Sequence, residues 1–148
     1  MLTRPLGKTA IGLSEIGFGA WGIGKSMWVG AKDVDSLQAL HRAMDLGVNF
    51  IDTARVYGMG HSEQLVGRAV REHDGYVNVA TKVAPKNMRW PASAETPVSE
   101  IFPAGHIIAS CEASLQTLGI ERIDLLQLHV WHDAYLQGDG WREGLEKL

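Results

Sequence analysis

The chain has 148 residues, 45% hydrophobic and 21% charged, with 14 basic against 17 acidic side chains and a formal charge of −3. That balance suits a globular domain and gives no reason to expect nucleic acid or an anionic membrane as a partner. The single cysteine, Cys111, excludes an internal disulfide and suits a reducing, cytoplasmic setting; no stretch reaches the roughly 18 apolar residues of a membrane span, and MLTRPLGKTA lacks the apolar core of a signal peptide.

In chain order, a hairpin is expected over residues 2–14, turning near Gly7 and Lys8. Residues 16–18 form a short strand that runs into a glycine-rich stretch. A helix is expected from Asp33, read as its N-cap, with Val34, Leu37, Leu40 and Met44 on one face and Gly47 as the stop. Residues 48–51 read as a strand. Ser62 reads as the cap of a second helix whose buried stripe is Leu65, Val66, Ala69 and Val70, and Gly75 as its end. Residues 77–81 form the next strand. The connection over 83–103, with prolines at 85, 91, 97 and 103, reads as a long structureless loop of the kind that often carries function. A third helix places Ile107, Ile108, Cys111, Leu115 and Leu118 together and stops at Gly119. Residues 125–128 are a fourth strand, and Asp139 reads as the cap of a last helix with Trp141, Leu145 and Leu148 in phase. Strand and helix alternating at this spacing imply parallel strands. Runs such as VNFI and LLQL, apolar at nearly every position, suit strands covered on both faces.

In parallel α/β folds function gathers at the C-terminal ends of the strands. Asp52 closes the second strand, and Tyr57 lies five residues on in its loop. Lys82 closes the third strand and His129 the fourth. Each alone has an ordinary structural reading, but four such groups at successive strand ends point to one site. They suit proton transfer to a carbonyl oxygen, on which hydride addition builds negative charge. A free phenol holds its proton to about pH 10, a neighbouring ammonium favours the phenolate, and a carboxylate keeps that ammonium charged. An imidazole can donate to the substrate oxygen.

Gly17, Gly19 and Gly22 match G-x-G-x-x-G, but no helix opens within the motif, so a Rossmann fingerprint is set aside in favour of close backbone approach to a ligand. His61, His73, His106 and His132 show no metal-ligand spacing and Cys111 lies on an apolar helix face, so no metal site is expected. Trp21 and Trp131, just past strand ends, read as pocket walls. Trp28 and Trp90 lie in loops that either close over it or simply pack, and Trp141 is expected to pack a helix onto the sheet.

At these residues the chain resembles the aldo-keto reductase family. GVNFIDTARVYGMGHSEQLVGRA, residues 47–69, is similar to that family's signature segment. IGFGAWGIG, VNVATKV and EASLQTLGIERIDLLQLH match further blocks in the same order. The resemblance implies an α/β fold, a TIM (β/α)8-type barrel, with residues 1–148 as the N-terminal part of a single barrel domain: a half-barrel of about four β/α units. It implies NAD(P)H-dependent reduction of aldehydes or ketones, with NADP(H) as cofactor and NAD(H) as the alternative. Asp52, Tyr57, Lys82 and His129 would form the catalytic tetrad, with Tyr57 as the acid. Gly19, Ala20 and Trp21 would lie near the cofactor's ribose or pyrophosphate, and Asp52 near its nicotinamide ribose. HVWHD, after the histidine, departs from the commoner family pattern.

A whole barrel takes about 250 residues, and the family's main grip on the cofactor's phosphates and adenine lies in its later strands. The chain alone is therefore expected to bind cofactor weakly and to be inactive. It reads as a fragment, a truncated product, or a half that self-associates or pairs with a second half-barrel. The alternative function is a non-catalytic binding or assembly module. A third reading, a lyase or isomerase forming a Schiff base on Lys82, is disfavoured because Asp52 and Tyr57 suit a charged lysine.

Overall fold

In the computed structural model, which describes residues 1–26, 28 and 30–148, the hairpin forms as expected. Strands β1 (Thr3–Pro5) and β2 (Gly12–Ser14) pair antiparallel, with Thr3 opposite Ser14. The hairpin is tied to the rest by Asn49, whose side-chain oxygen accepts from the Ser14 amide at 2.7 Å and whose amide donates to the Gly12 carbonyl at 3.0 Å.

The remaining strands, β3 (Phe18–Gly19), β4 (Phe50–Asp52), β5 (Asn78–Val83) and β6 (Leu125–Leu128), form one parallel sheet in sequence order. Helices α1 (Asp33–Asp45) and α2 (His61–Glu72) form the first two crossovers, and α3 (Val98–Ile101) with α4 (Ala104–Leu118) the third. α5 (Gly140–Glu146) follows β6. Sequential parallel strands joined by helices are the arrangement of part of a TIM-type barrel.

Side chains alternate across this sheet. Ile51, Val79 and Thr81 point to the helices and are buried. Ile51 and Val79 join Leu40, Met44, Val66, Ala69 and Leu118 in one apolar cluster, and Val83, Ile101, Phe102, Ile107 and Tyr135 form a second beneath α5. Asp52, Lys82 and Gln127 occupy the other face. At Gly67 the helices α2 and α4 meet so closely that an added Cβ would lie 1.9 Å from the Leu118 carbonyl oxygen. Only glycine permits that approach. Among the described residues no helix is long and apolar enough to cross a membrane.

Several local expectations need correction. α1 begins at Asp33, but its N-cap is Lys32, and the Asp33 carboxylate bonds Lys25 and His61 instead of its own helix. Val34 is 61% exposed and lies off the apolar face. Gly47 does stop α1, at φ 91°. Ser62 is not a cap: α2 is preceded by Gly60, and the buried Ser62 hydroxyl donates to the Ala20 carbonyl at 2.7 Å. α2 ends at Glu72, before Gly75. β3 and β4 start two residues later and end one later than the expected 16–18 and 48–51, and β5 starts one residue later and runs two farther than 77–81, so Lys82 lies one residue inside β5. The connection over 83–103 is not structureless, because α3 buries Val98 and Ile101, whose carbonyl accepts from the Lys86 amide at 2.9 Å. Asp139 precedes α5 without capping it through its side chain, and Leu148 is exposed.

Candidate functional site

Asp52 is the last residue of β4, and Lys82 stands near it on β5, two residues beyond Ala80, the register partner of Asp52. The Lys82 ammonium reaches Asp52 Oδ1 in a close ion pair. It also donates to the Thr53 carbonyl at 2.9 Å and to the Tyr57 phenol oxygen at 3.3 Å. With a side chain only 12% exposed, Lys82 spends its three N–H donors on a carboxylate, a carbonyl and a phenol.

Tyr57 rides on the loop after β4, which is held by backbone geometry. Gly58, Met59 and Gly60 all adopt positive φ, at 66°, 56° and 96°. The 3-10 turn over Gly22–Gly24 packs directly on this loop. An added Cβ at Gly24 would lie 2.7 Å from the Tyr57 carbonyl carbon, and one at Gly58 would lie 1.9 Å from the Gly24 oxygen. Below, the Ser62 hydroxyl, already donating to Ala20, accepts from Thr53 Oγ1 at 2.8 Å. The loop is thus clamped from both sides.

His129 follows β6, and its amide donates to the Val83 carbonyl at 2.9 Å. Its ring stands edge-on to Tyr57, with centroids 5.7 Å apart. Burial, and then the Lys82 charge, hold its pKa below the usual imidazole value, so the ring is neutral at physiological pH. Its buried Nδ1 has no hydrogen-bond partner among the described residues.

The four expected site residues therefore come together. A fifth polar group, missed from sequence, joins them: Gln127 Nε2 donates to Asp52 Oδ2 at 3.0 Å. Its signal was a lone amide inside LLQL, on the same face as His129. Glu63 was also missed. It is fully buried against the helix-facing side of β5, where Thr81 Oγ1 donates to it at 2.7 Å, and burial pushes its carboxyl pKa up. Arg55, from the Tyr57 loop, lies 3.9 Å from its other oxygen and donates to the Ala113 carbonyl on α4.

The glycine-rich stretch divides in two. Gly19 pairs in register with Asp52 and is exposed, and an added Cβ there would meet nothing within 4 Å. Ala20 is fully buried, its amide donating to the Asp52 carbonyl and its carbonyl accepting from Ser62. Gly17 and Gly22 approach Phe50 and Trp28.

Aromatic rings wall the cluster. Trp21 lies 5.6 Å from Trp28 and 6.5 Å from Tyr57, and Trp90 lies 4.9 Å from His129. Trp131, read as a pocket wall, instead makes its ring contacts with Tyr135 and Trp141, at 5.6 and 5.1 Å.

The sequence profile of the aldo/keto reductase family matches residues 15–148. Aldo-keto reductase YhdN of Bacillus subtilis is 34% identical over 145 residues, spanning 95% of this chain and 41% of its own length. A glycerol dehydrogenase structure from Gluconobacter oxydans superposes with a TM-score of 0.76 at 35% identity, over 99% of this chain and 44% of that one. An aldo-keto reductase from Klebsiella pneumoniae, solved in complex with NADPH, superposes with a TM-score of 0.71 at 30% identity, over 93% and 42%. The chain thus spans about two fifths of the length of each of these three relatives.

Proposed function

The chain belongs to the aldo/keto reductase family, and we propose that it supplies the acid–base half of a TIM-type barrel that reduces aldehydes or ketones to alcohols with NADP(H), or with NAD(H). The observation that carries this reading is the contact of Lys82 Nζ with both the Asp52 carboxylate and the Tyr57 hydroxyl.

Tyr57 is the proton donor in this reading. The adjacent ammonium stabilises the phenolate left behind, and Asp52 holds that ammonium in place. His129, neutral and edge-on to Tyr57, donates from its one ring N–H to a substrate oxygen in this reading. Trp21, Trp28 and Trp90, each 44–52% exposed, bound the site with apolar surface and limit water around the reacting oxygen.

The residues present fit a nicotinamide. Gly19 leaves open space beside Asp52, and the exposed face of Trp21 adjoins it. Gly19, Trp21 and Asp52 would hold that end, with Ala20 acting through its neighbours rather than by its own buried side chain. The bound cofactor supplies the hydride that this chain's side chains lack.

The sheet favours a role for the remainder of a barrel. β3 and β6 are its two edges, and every residue of β6, three leucines among them, stays partly exposed. A half-barrel in a cytoplasmic protein, completed by further chain or by a second half, accounts for this. Light scattering on the 148-residue chain tests that part of the reading: self-association supports it, and a monodisperse, well-folded monomer opposes it.

The reductase reading is tested by replacing Tyr57 with Phe in the intact natural protein. Carbonyl-dependent NADPH oxidation should fall at least about a hundredfold while the Kd for NADPH is unchanged. Undiminished turnover would remove Tyr57 as the acid.

A further inference from the structure

We infer that Gln127 is a positioning residue for the acid–base cluster: its amide fixes the Asp52 carboxylate in the orientation that keeps the Lys82 ammonium beside Tyr57. The inference rests on the reductase reading for its functional meaning and on the contact itself for its structure.

Asp52 has two oxygens and both are spoken for. Oδ1 faces Lys82, and Oδ2 accepts from Gln127 Nε2 at 3.0 Å. Lys82 in turn has three donors, directed to Asp52, to the Thr53 carbonyl and to Tyr57. Rotation of the Asp52 carboxylate would therefore release one of the three bonds that aim Lys82. Gln127 is the group that opposes this rotation.

The contact is specific to this sheet. Asp52 is on β4 and Gln127 on β6, so the bond crosses β5 and spans two strand spacings, about 10 Å. The residue of β5 level with Asp52 is Ala80, which is in register with Leu125 on the far side. Its methyl group leaves room for the two longer side chains to meet over it. Lys82, the next residue of β5 on this face, is in register with Gln127 itself.

The chemical type also matters. An amide donates to Asp52 without adding charge, so Lys82 and Asp52 remain the charged pair nearest Tyr57. A carboxylate at 127 would compete for the same ammonium, and an apolar residue would leave Oδ2 without its donor. A lone amide in the apolar run LLQL is costly to desolvate unless bonded, and this bond is where its donor goes.

The test uses the intact natural protein with two variants of nearly unchanged volume. Gln127→Leu should lower kcat roughly tenfold or more with KM for the carbonyl substrate within about twofold, because aim rather than binding is lost. Gln127→Glu, ionised at pH 8, should be impaired there, and its deficit relative to wild type should narrow as pH falls towards the range where a carboxyl protonates and regains a donor for Asp52. A purely structural role would produce no such pH-dependent recovery. Wild-type kcat in Gln127→Leu, or a Gln127→Glu profile parallel to wild type, overturns the inference. An NMR measurement is independent of activity: the Gln127 side-chain amide proton should move upfield in Asp52→Asn, as the bond loses its charged acceptor. An unmoved resonance overturns the contact. A protein that shows the NMR shift but reduces no carbonyl sinks the reductase reading instead.

Discussion

The Lys82 ammonium donates to the Tyr57 hydroxyl at 3.3 Å, across the gap between β5 and the loop that follows β4. Twenty-five residues of chain and a whole helix separate the two, so only the parallel sheet can make them neighbours.

Gly24→Ala should disturb the acid without touching it. The new methyl would meet the Tyr57 carbonyl carbon and oxygen at 2.7 and 2.8 Å, against backbone that cannot yield cheaply. A loss of about 1–3 kcal/mol in urea unfolding is expected, together with at least a tenfold fall in carbonyl reduction by the intact protein. Gly19→Ala is the contrast: with nothing within 4 Å of the added Cβ, stability should be unchanged while the Kd for NADPH rises.

His129 should give the fold a sensitivity to mild acid. Its folded pKa lies below the imidazole value of 6.5, through burial first and the Lys82 charge second. Between the folded value and 6.5 the unfolded chain binds more protons, so stability is full above 6.5 and falls as pH drops below it. Urea unfolding from pH 7.5 down to pH 5 should show this loss. His129→Gln should show less of it.

Glu63 has the opposite sign. Burial raises its folded pKa above 4.5, so the folded state binds more protons there. Its contribution is present below 4.5 and is lost as pH rises through the folded value. Glu63→Gln retains an acceptor for Thr81 and removes the titration. The melting temperature at pH 5 should fall relative to that at pH 8 in this variant, compared with wild type, because only the low-pH stabilisation by Glu63 is removed.

Much of this was legible in the sequence because apolar runs and their terminal polar residues are set by local chemistry. Asp52, Tyr57, Lys82 and His129 could be read at strand ends, and the sheet brings them together. Leu125–Leu128 was bounded correctly because four residues between turns leave little latitude. What could not be read depended on partners remote in sequence. Asp33 and Ser62 have the composition of helix caps, but their side chains bond Lys25 and Ala20, from the segment before α1. α3 is hidden among prolines because a four-residue helix has no periodicity to detect, and tertiary burial of Val98 and Ile101 holds it. Trp131 follows a strand as Trp21 does, yet packs with Tyr135 and Trp141. The Gln127–Asp52 bond required the inter-strand register, which no local pattern reveals.

Gly67→Ala tests the helix layer behind the site. The added methyl would lie 1.9 Å from the Leu118 oxygen, so α2 and α4 must separate. A destabilisation of about 2–3 kcal/mol in urea unfolding is expected. An unchanged midpoint would mean that the two helices are not packed this closely.

If Tyr57 and Lys82 act as one proton-donating unit, the rate of the Tyr57→Phe/Lys82→Met double variant will reveal it. Groups that act together lose their effect once, so the double variant of the intact protein should oxidise NADPH with a carbonyl substrate about as slowly as Tyr57→Phe alone. Losses that multiply, with the double variant slower by the product of the two single effects, would contradict it.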